Sequence, residues 1–130
     1  MTDEGPSAEQ RLAEILVRHP RYPREAYAFV NEALAYAAKT LQRTGHLTGQ
    51  ELCEGVRLMA LDHFGFLART VLESWNIRRT DDIGRIVYLM IEAELLRKTE
   101  NDSIEDFRDV YDFEETFDRS FRIELETRSS

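Results

Sequence analysis

Apolar residues recur at helical spacing along most of the chain, and this pattern predicts five helices. Ser7 and Gln10 form a capping box, so we expect the first helix over about Ala8 to Arg18. Pro20 and Pro23 exclude helical geometry from the connector that follows. The chain should therefore turn sharply before the second helix begins.

The second and third helices each present an apolar face. The face of the second helix consists of Ala26, Tyr27, Val30, Ala33, Leu34, Ala37 and Leu41. Gly45 is a suitable stop after it. Thr48 and Glu51 form another capping box before the third helix, which Gly65 should end. A short fourth helix is predicted over about Phe66 to Trp75.

The fifth helix is predicted to begin after Thr80, which we expect to be its N-cap. Asp81 and Asp82 then lie in its first turn, where negative charge is favourable. Its apolar residues are Ile83, Ile86, Val87, Met90 and Ile91. Because they cover much of the helix circumference, this helix should be central to the core.

The C-terminal part of the chain is acidic but rich in aromatic residues. The aromatic residues are Phe107, Tyr111, Phe113, Phe117 and Phe121. Disordered acidic segments rarely carry so many, so we expect this segment to pack on the helices. Ser103 and Asp106 predict one short helical turn within it.

Two short strands are predicted near the C-terminus, at "LLRK" (residues 95–98) and at the alternating Phe121, Ile123 and Leu125. The predicted fold is therefore mostly α: a compact five-helix domain with a small C-terminal β element, and a winged helix as one possible arrangement. We expect residues 1–130 to form a single domain, with residues 1–6 and 127–130 flexible.

The composition is consistent with one core and with a reducing compartment. The chain has 130 residues, 42% of them hydrophobic, which suffices for one domain. Its single cysteine excludes an internal disulfide, and no apolar stretch approaches the roughly 20 residues that span a bilayer. The N-terminal residues are acidic and polar, unlike a signal peptide. We therefore expect a cytoplasmic protein that does not bind membranes.

The net charge of -8 is concentrated in the C-terminal region. Residues 1–98 contain 13 Lys and Arg against 14 Asp and Glu, whereas residues 99–130 contain 4 against 11. Such an acidic surface repels phosphate backbones. Binding to nucleic acid is therefore not expected.

A winged-helix DNA-binding protein is nevertheless the main alternative. The order of the elements is typical of that fold: the fourth helix, the turn "NIRRT", the fifth helix and then the "LLRK" strand. Its outward positions on the fifth helix would include Asp82, Arg85, Glu92 and Glu94. These charges are mostly of the wrong sign for DNA. The basic exceptions, Arg78, Arg79, Arg97 and Lys98, are more simply explained by ion pairs with neighbouring carboxylates.

Candidate interaction residues lie in the proline-rich connector, in the "NIRRT" turn and in the acidic segment. Tyr and Arg are enriched at interface hot spots, although such residues in a connector more often serve packing. The acidic residues between the aromatics would form a negative face for a basic protein partner. The candidates are Tyr22, Arg24, Arg78, Arg79, Asp109, Asp112 and Glu114.

No pattern of catalytic or metal-binding residues is present. His19, His46, His63 and Cys53 do not have metal-ligand spacing, and there is no glycine-rich phosphate loop or nucleophile motif. Cys53 and His63 are expected in the core. The paired carboxylates, such as those at 81–82 and 114–115, are explained by helix capping and by solvated surface. We therefore expect a non-enzymatic protein-interaction or regulatory protein without metal or other cofactor.

Three stretches of the chain resemble a family of conserved bacterial proteins met chiefly in planctomycete and verrucomicrobial genomes. They read "HPRYPREAYAFVNEAL", "TGQELCEGVRLMALDHFGFLARTVLESWNIRRTDDIG" and "IEAELLRKTENDSIEDFRDVYDFEETF". The resemblance covers about residues 8–118. That family has no assigned biochemical role, so the resemblance implies no activity and no site residues. It implies only that the chain is a complete small protein.

Overall fold

A computed structural model describes residues 5–42, 47–97 and 104–119. These residues are mostly helical and include no strand, which confirms the mostly α prediction. The α-helices are α1 (Ala8–Arg18), α2 (Arg24–Thr40), α3 (Gly49–Phe64), α4 (Ala68–Ser74) and α5 (Thr80–Glu92). Three short turns of other helical types lie at Gly65–Leu67, Ile104–Phe107 and Glu114–Arg119.

Both predicted capping boxes are formed. Ser7 Oγ accepts from the Gln10 amide at 3.2 Å, and Gln10 Oε1 accepts from the Ser7 amide at 2.8 Å. Thr48 and Glu51 make the same reciprocal pair at the start of α3. Gly65 ends α3 with a φ of 55°, a left-handed conformation that glycine adopts without steric cost.

Two helix ends differ from the prediction. α2 ends at Thr40, earlier than Gly45, which lies outside the described residues. α4 begins only at Ala68, because Phe66 and Leu67 belong to a 3₁₀ turn that follows α3. This turn leaves the side chains of Phe66 and Leu67 exposed.

α2 packs along α3, and α5 packs against α2 and the turn at Ile104–Phe107. Val30 of α2, Val56 of α3 and Leu72 of α4 are fully buried between the helices. On α5 the buried residues include Ile83, Ile86, Val87 and Met90. The central position predicted for α5 is thus confirmed.

The described part of the acidic aromatic segment packs on the helices, as expected. Phe107, Phe113 and Phe117 are at most 5% exposed, and Tyr111 donates from its hydroxyl to the Cys53 carbonyl at 2.7 Å. Phe107 lies so close to α5 that a Cβ added at Gly84 would be 2.8 Å from the Phe107 Cβ. Phe121 lies outside the described residues.

Thr80 is not the N-cap of α5, contrary to the prediction. Its hydroxyl donates to the Phe107 carbonyl at 2.6 Å and accepts from the Val110 amide at 3.0 Å. Thr80 therefore anchors the C-terminal segment, and Asp82 accepts hydrogen bonds from the backbone that precedes the helix. The Thr80 hydroxyl thus bonds to residues distant in sequence and not to the amides of its own helix.

The predicted strands are not shown. Leu95–Arg97 form a bend and irregular backbone rather than the start of a strand, because the chain leaves α5 through Glu94 in a left-handed conformation with φ 61°. Residues 121–125 lie outside the described part of the chain. Within the described residues, no helix combines the length and apolar character that crossing a membrane requires.

Candidate functional site

Asp82 is a charged side chain at the centre of a hydrogen-bond network, although it is only 1% exposed. Its Oδ2 accepts from the amides of Arg78 at 2.9 Å and Arg79 at 3.2 Å. Its Oδ1 accepts from the Tyr22 hydroxyl at 2.5 Å and from Arg85 Nη1 at 2.8 Å. A buried carboxylate is tolerated only when it is paired and hydrogen-bonded in this way.

Arg21 completes the network from the connector between α1 and α2. Its Nη2 lies 3.6 Å from Asp82 Oδ1, and its guanidinium lies 5.6 Å from the centre of the Tyr22 ring, within cation–π range. Burial, followed by the hydrogen bond to Asp82, raises the pKa of Tyr22 to about 12. Tyr22 therefore keeps its proton at neutral pH and acts as a donor.

The structure brings three of the predicted interaction residues together around Asp82, but in an unexpected way. Tyr22 is 1% exposed, so its side chain belongs to the buried network, and its role in binding a partner stays a prediction. Packing against the ring of Tyr27 and bonding to Asp82 keep it inside. Arg78 and Arg79 bind Asp82 through their backbone, which leaves both side chains exposed. Arg78 pairs with Glu73 at 3.8 Å, the type of ion pair expected for this cluster.

The other four predicted interaction residues lie elsewhere. Arg24 is exposed at the start of α2 and pairs with Glu9 of α1. Asp109, Asp112 and Glu114 are exposed on the C-terminal segment. The Asp109 amide donates to Asp81 at 3.3 Å, and Asp112 Oδ2 caps the last turn by accepting from the Glu115 amide at 3.0 Å.

A surface groove of about 660 Å³ lies beside the Asp82 network. The connector forms one wall, with Arg21 and Tyr22 among its lining residues, and the outer face of α5 forms the other. The lining from α5 includes Arg85, Tyr88 and Leu89. The connector singled out from the sequence is therefore part of a concave surface, and its volume is within the range of ligand sites.

Sequence reasoning missed both the network and the groove. It placed Asp82 on an outward position of a recognition helix, whereas the side chain is buried. The available signal was an acidic residue in the first helical turn, three residues after an Arg-Arg pair whose amides need acceptors. Its partners Tyr22 and Arg21 are too distant in sequence to be identified from local patterns.

The helix that a winged-helix protein would place in the DNA groove is largely a core helix here. α5 buries most of one face, while α4 packs on α3 and on the turn at Glu114–Arg119. Lys98 and residues 99–103, which follow it in the chain, lie outside the described residues. Among the described basic residues near the turn, Arg78 and Arg79 are exposed, and Arg78 pairs with Glu73.

Cys53 is fully buried, as expected, and burial raises the pKa of its thiol to about 12. It is therefore a neutral thiol at physiological pH and a poor nucleophile. His63 was expected in the core but is exposed at the end of α3, where its ring contacts Phe64. Among the residues that the structure describes, no three or more His, Cys, Asp or Glu side chains are grouped to hold a metal ion.

Comparison with protein-family models, with curated proteins and with solved structures gives no match. The resemblance to conserved planctomycete and verrucomicrobial proteins therefore stays a prediction.

Proposed function

We propose that the protein is a non-enzymatic interaction protein of the cytoplasm that binds a basic segment of a protein partner. The binding surface, which we call the acidic face, consists of the exposed carboxylates of Glu105, Asp109, Asp112, Glu114 and Glu115. The observation that carries the proposal is that these charges stand on a segment anchored by buried aromatic residues.

The anchors hold the charges in place before any partner binds. Phe107, Phe113 and Phe117 alternate with the exposed carboxylates along the segment, and all three are buried. Thr80 fixes the same segment through two hydrogen bonds. A rigid charged surface loses less conformational entropy on binding than a flexible tail does.

The sign of the charge selects the partner. Complementary potentials steer association and disfavour wrong partners. Within residues 105–115 only Arg108 offsets the carboxylates, and its guanidinium already lies 3.3 Å from Glu105. The acidic face is therefore complementary to a protein segment rich in Lys and Arg.

The test is titration of the full chain with a synthetic Lys/Arg-rich peptide, followed by calorimetry and by amide NMR shifts. We expect binding with shifts at the acidic face, and weakening of at least about tenfold in a triple variant carrying D109N, D112N and E114Q. Asn retains the capping role of Asp112. A matched triple variant with E25Q, E32Q and D62N removes the same charge from α2 and α3.

The outcome depends on the comparison between the two triple variants. Loss confined to the acidic-face variant supports the proposal. Equal weakening in both would mean that net charge alone attracts the peptide, and no binding to the unaltered protein would refute the proposal outright.

A winged-helix-like DNA-binding regulator, with the β element near the C-terminus, is the alternative that the order of elements suggests. It has less support, since the described segment after α5 is acidic. We expect no measurable binding to duplex DNA at physiological salt. Sub-micromolar affinity with a steep salt dependence in an anisotropy titration would favour the alternative instead.

A further inference from the structure

The groove between the connector and α5 combines apolar surface with two arginines that are held in place. Its apolar lining includes Tyr88 and Leu89, both half-buried, and Ile104, which is 45% exposed. Arg21 and Arg85 line the same groove, with 58% and 44% of their side chains exposed. Apolar lining with a few fixed polar groups is the usual composition of a binding site.

The charge of this pair is only partly neutralised by Asp82. Two guanidinium groups share one carboxylate, which also accepts three further hydrogen bonds from Tyr22, Arg78 and Arg79. Each guanidinium has five N–H donors, and Asp82 takes only one short hydrogen bond from Arg85 and one longer ion pair from Arg21. The groove therefore offers excess positive charge and forked donors, which match a carboxylate.

Both arginines are held by contacts that do not need a ligand. Asp82 is fixed by the backbone at the start of α5, and the Arg21 guanidinium stacks over the Tyr22 ring. A preorganised pair of this kind binds an anion with less ordering cost than two free arginines would.

Arg21 and Arg85 form one pair within the groove, and Arg18, which pairs with Glu14 at 2.9 Å, also lines it together with His19. Glu92 also lines it and lies about two helical turns from Arg85, or roughly 10 Å along the α5 axis. A ligand aligned with α5 would thus meet Arg21 and Arg85 at one end, apolar surface beside them, and Glu92 near Arg18 and His19 at the far end. That length corresponds to about three residues of extended chain.

We infer that the groove binds a short extended segment of a partner protein in which an acidic side chain stands next to apolar ones. The acidic side chain pairs with Arg21 and Arg85, and the apolar side chains cover Tyr88, Leu89 and Ile104. This site borders the acidic face at Ile104 and Glu105 but uses other residues and selects the opposite charge, so either can fail without the other.

The experiment is selection of short random peptides displayed on phage, using the immobilised full-length protein. Enriched peptides are then synthesised and titrated by calorimetry against three variants. R21Q keeps all four hydrogen bonds to Asp82, so it should remain folded, which its melting temperature checks. I104D places a negative charge on the apolar part. R24Q removes an exposed arginine that pairs with Glu9 outside the groove and serves as the control.

We expect enriched peptides to contain Asp or Glu beside large apolar residues. R21Q and I104D should each weaken them by about tenfold or more, whereas R24Q should change the affinity by less than about twofold. Increasing salt should also weaken binding.

Several results would overturn the inference. Enrichment of basic peptides alone would support only the acidic face. Acidic peptides that bind R21Q and the unaltered protein equally would use another surface, and the absence of any enrichment would leave the groove without a peptide ligand. Self-association that R21Q abolishes would identify a second copy of the chain as the occupant.

Discussion

Tyr22 and Tyr27 show how strongly the effect of a hydroxyl depends on its partner. Both are 1% exposed and their rings contact each other edge to face. The Tyr22 hydroxyl donates to a buried carboxylate, whereas the buried Tyr27 hydroxyl has no hydrogen-bond partner in the described part of the chain. The two residues therefore form a natural matched pair for mutation.

Removing the two hydroxyls should have different effects on stability. Y22F takes a donor from buried Asp82 and should lower the free energy of unfolding by about 1.5–3 kcal/mol, the value of a hydrogen bond to a charged group. Y27F removes only an unpaired hydroxyl and should change it by less than about 0.5 kcal/mol or increase it. Urea unfolding of both variants measures the difference. Equal changes in the two variants would mean that the hydrogen bond from Tyr22 to Asp82 contributes no stability beyond that of an unpaired hydroxyl.

The same tyrosines predict a loss of stability at alkaline pH. Burial raises the pKa of Tyr22 and of Tyr27 from 10.0 to about 12. Between these values the unfolded chain releases protons that the folded protein retains, so the free energy of unfolding falls as pH rises from about 10 to 12. Unfolding at a series of pH values should show this decline, and Y22F should make it less steep. A stability that is constant over that interval would contradict the raised pKa values.

At the scale of elements, local capping boxes in the sequence predict two helix starts correctly, whereas other helix ends and the tertiary anchors are predicted poorly. The capping boxes at Ser7 and Thr48 act within one turn, so both helix starts could be predicted. Thr80 has the same local appearance, yet it bonds to Phe107 and Val110 far along the chain. The groove likewise depends on bringing Arg21 beside Arg85, which no local pattern specifies.

Gly84 lies where Phe107 packs directly against the backbone of α5. Alanine is favoured over glycine within a helix by about 1 kcal/mol. However, the added Cβ would lie 2.8 Å from both Cβ and Cγ of Phe107, atoms that cannot move without moving the segment. We expect the steric cost to prevail, so that G84A lowers the free energy of unfolding by about 1–2 kcal/mol.

A double-mutant cycle with F107A tests this explanation. F107A removes Cγ and the ring but keeps the Cβ at 2.8 Å, so G84A should cost clearly less stability in this background than in the unaltered protein. Additive losses in the double variant would show that the cost at Gly84 has a different origin.

At the scale of the whole molecule, the acidic segment is part of the folded body, and the surface carries both a face of exposed carboxylates and a groove with exposed arginines. The acidic face lies on this segment, and the arginine-containing groove lies between the connector and α5. From the sequence alone, the packing of the segment could be predicted because its aromatic residues need burial. The groove between the connector and α5 could not be predicted, because which of its side chains are exposed depends on how the helices pack together.

Truncation tests how much the body depends on the segment. Deleting every residue after Asp106 removes Phe107, Phe113 and Phe117, each worth roughly 1.5–3 kcal/mol, against a total stability of about 5–15 kcal/mol. We expect a sharply lower melting temperature or insoluble protein. Deleting only residues 127–130 should change little. A protein cut after Asp106 that melts like the full chain would show that the aromatic anchors contribute nothing.

The slot that receives Phe107 also constrains the order of folding. It is bordered by Gly49 of α3 and Gly84 of α5, so it exists only after these two helices have met. During synthesis the helices leave the ribosome before Phe107 does, and contacts between distant parts of a chain form slowly. The aromatic segment should therefore dock last. Until it does, a nascent chain exposes an apolar slot that chaperones can bind.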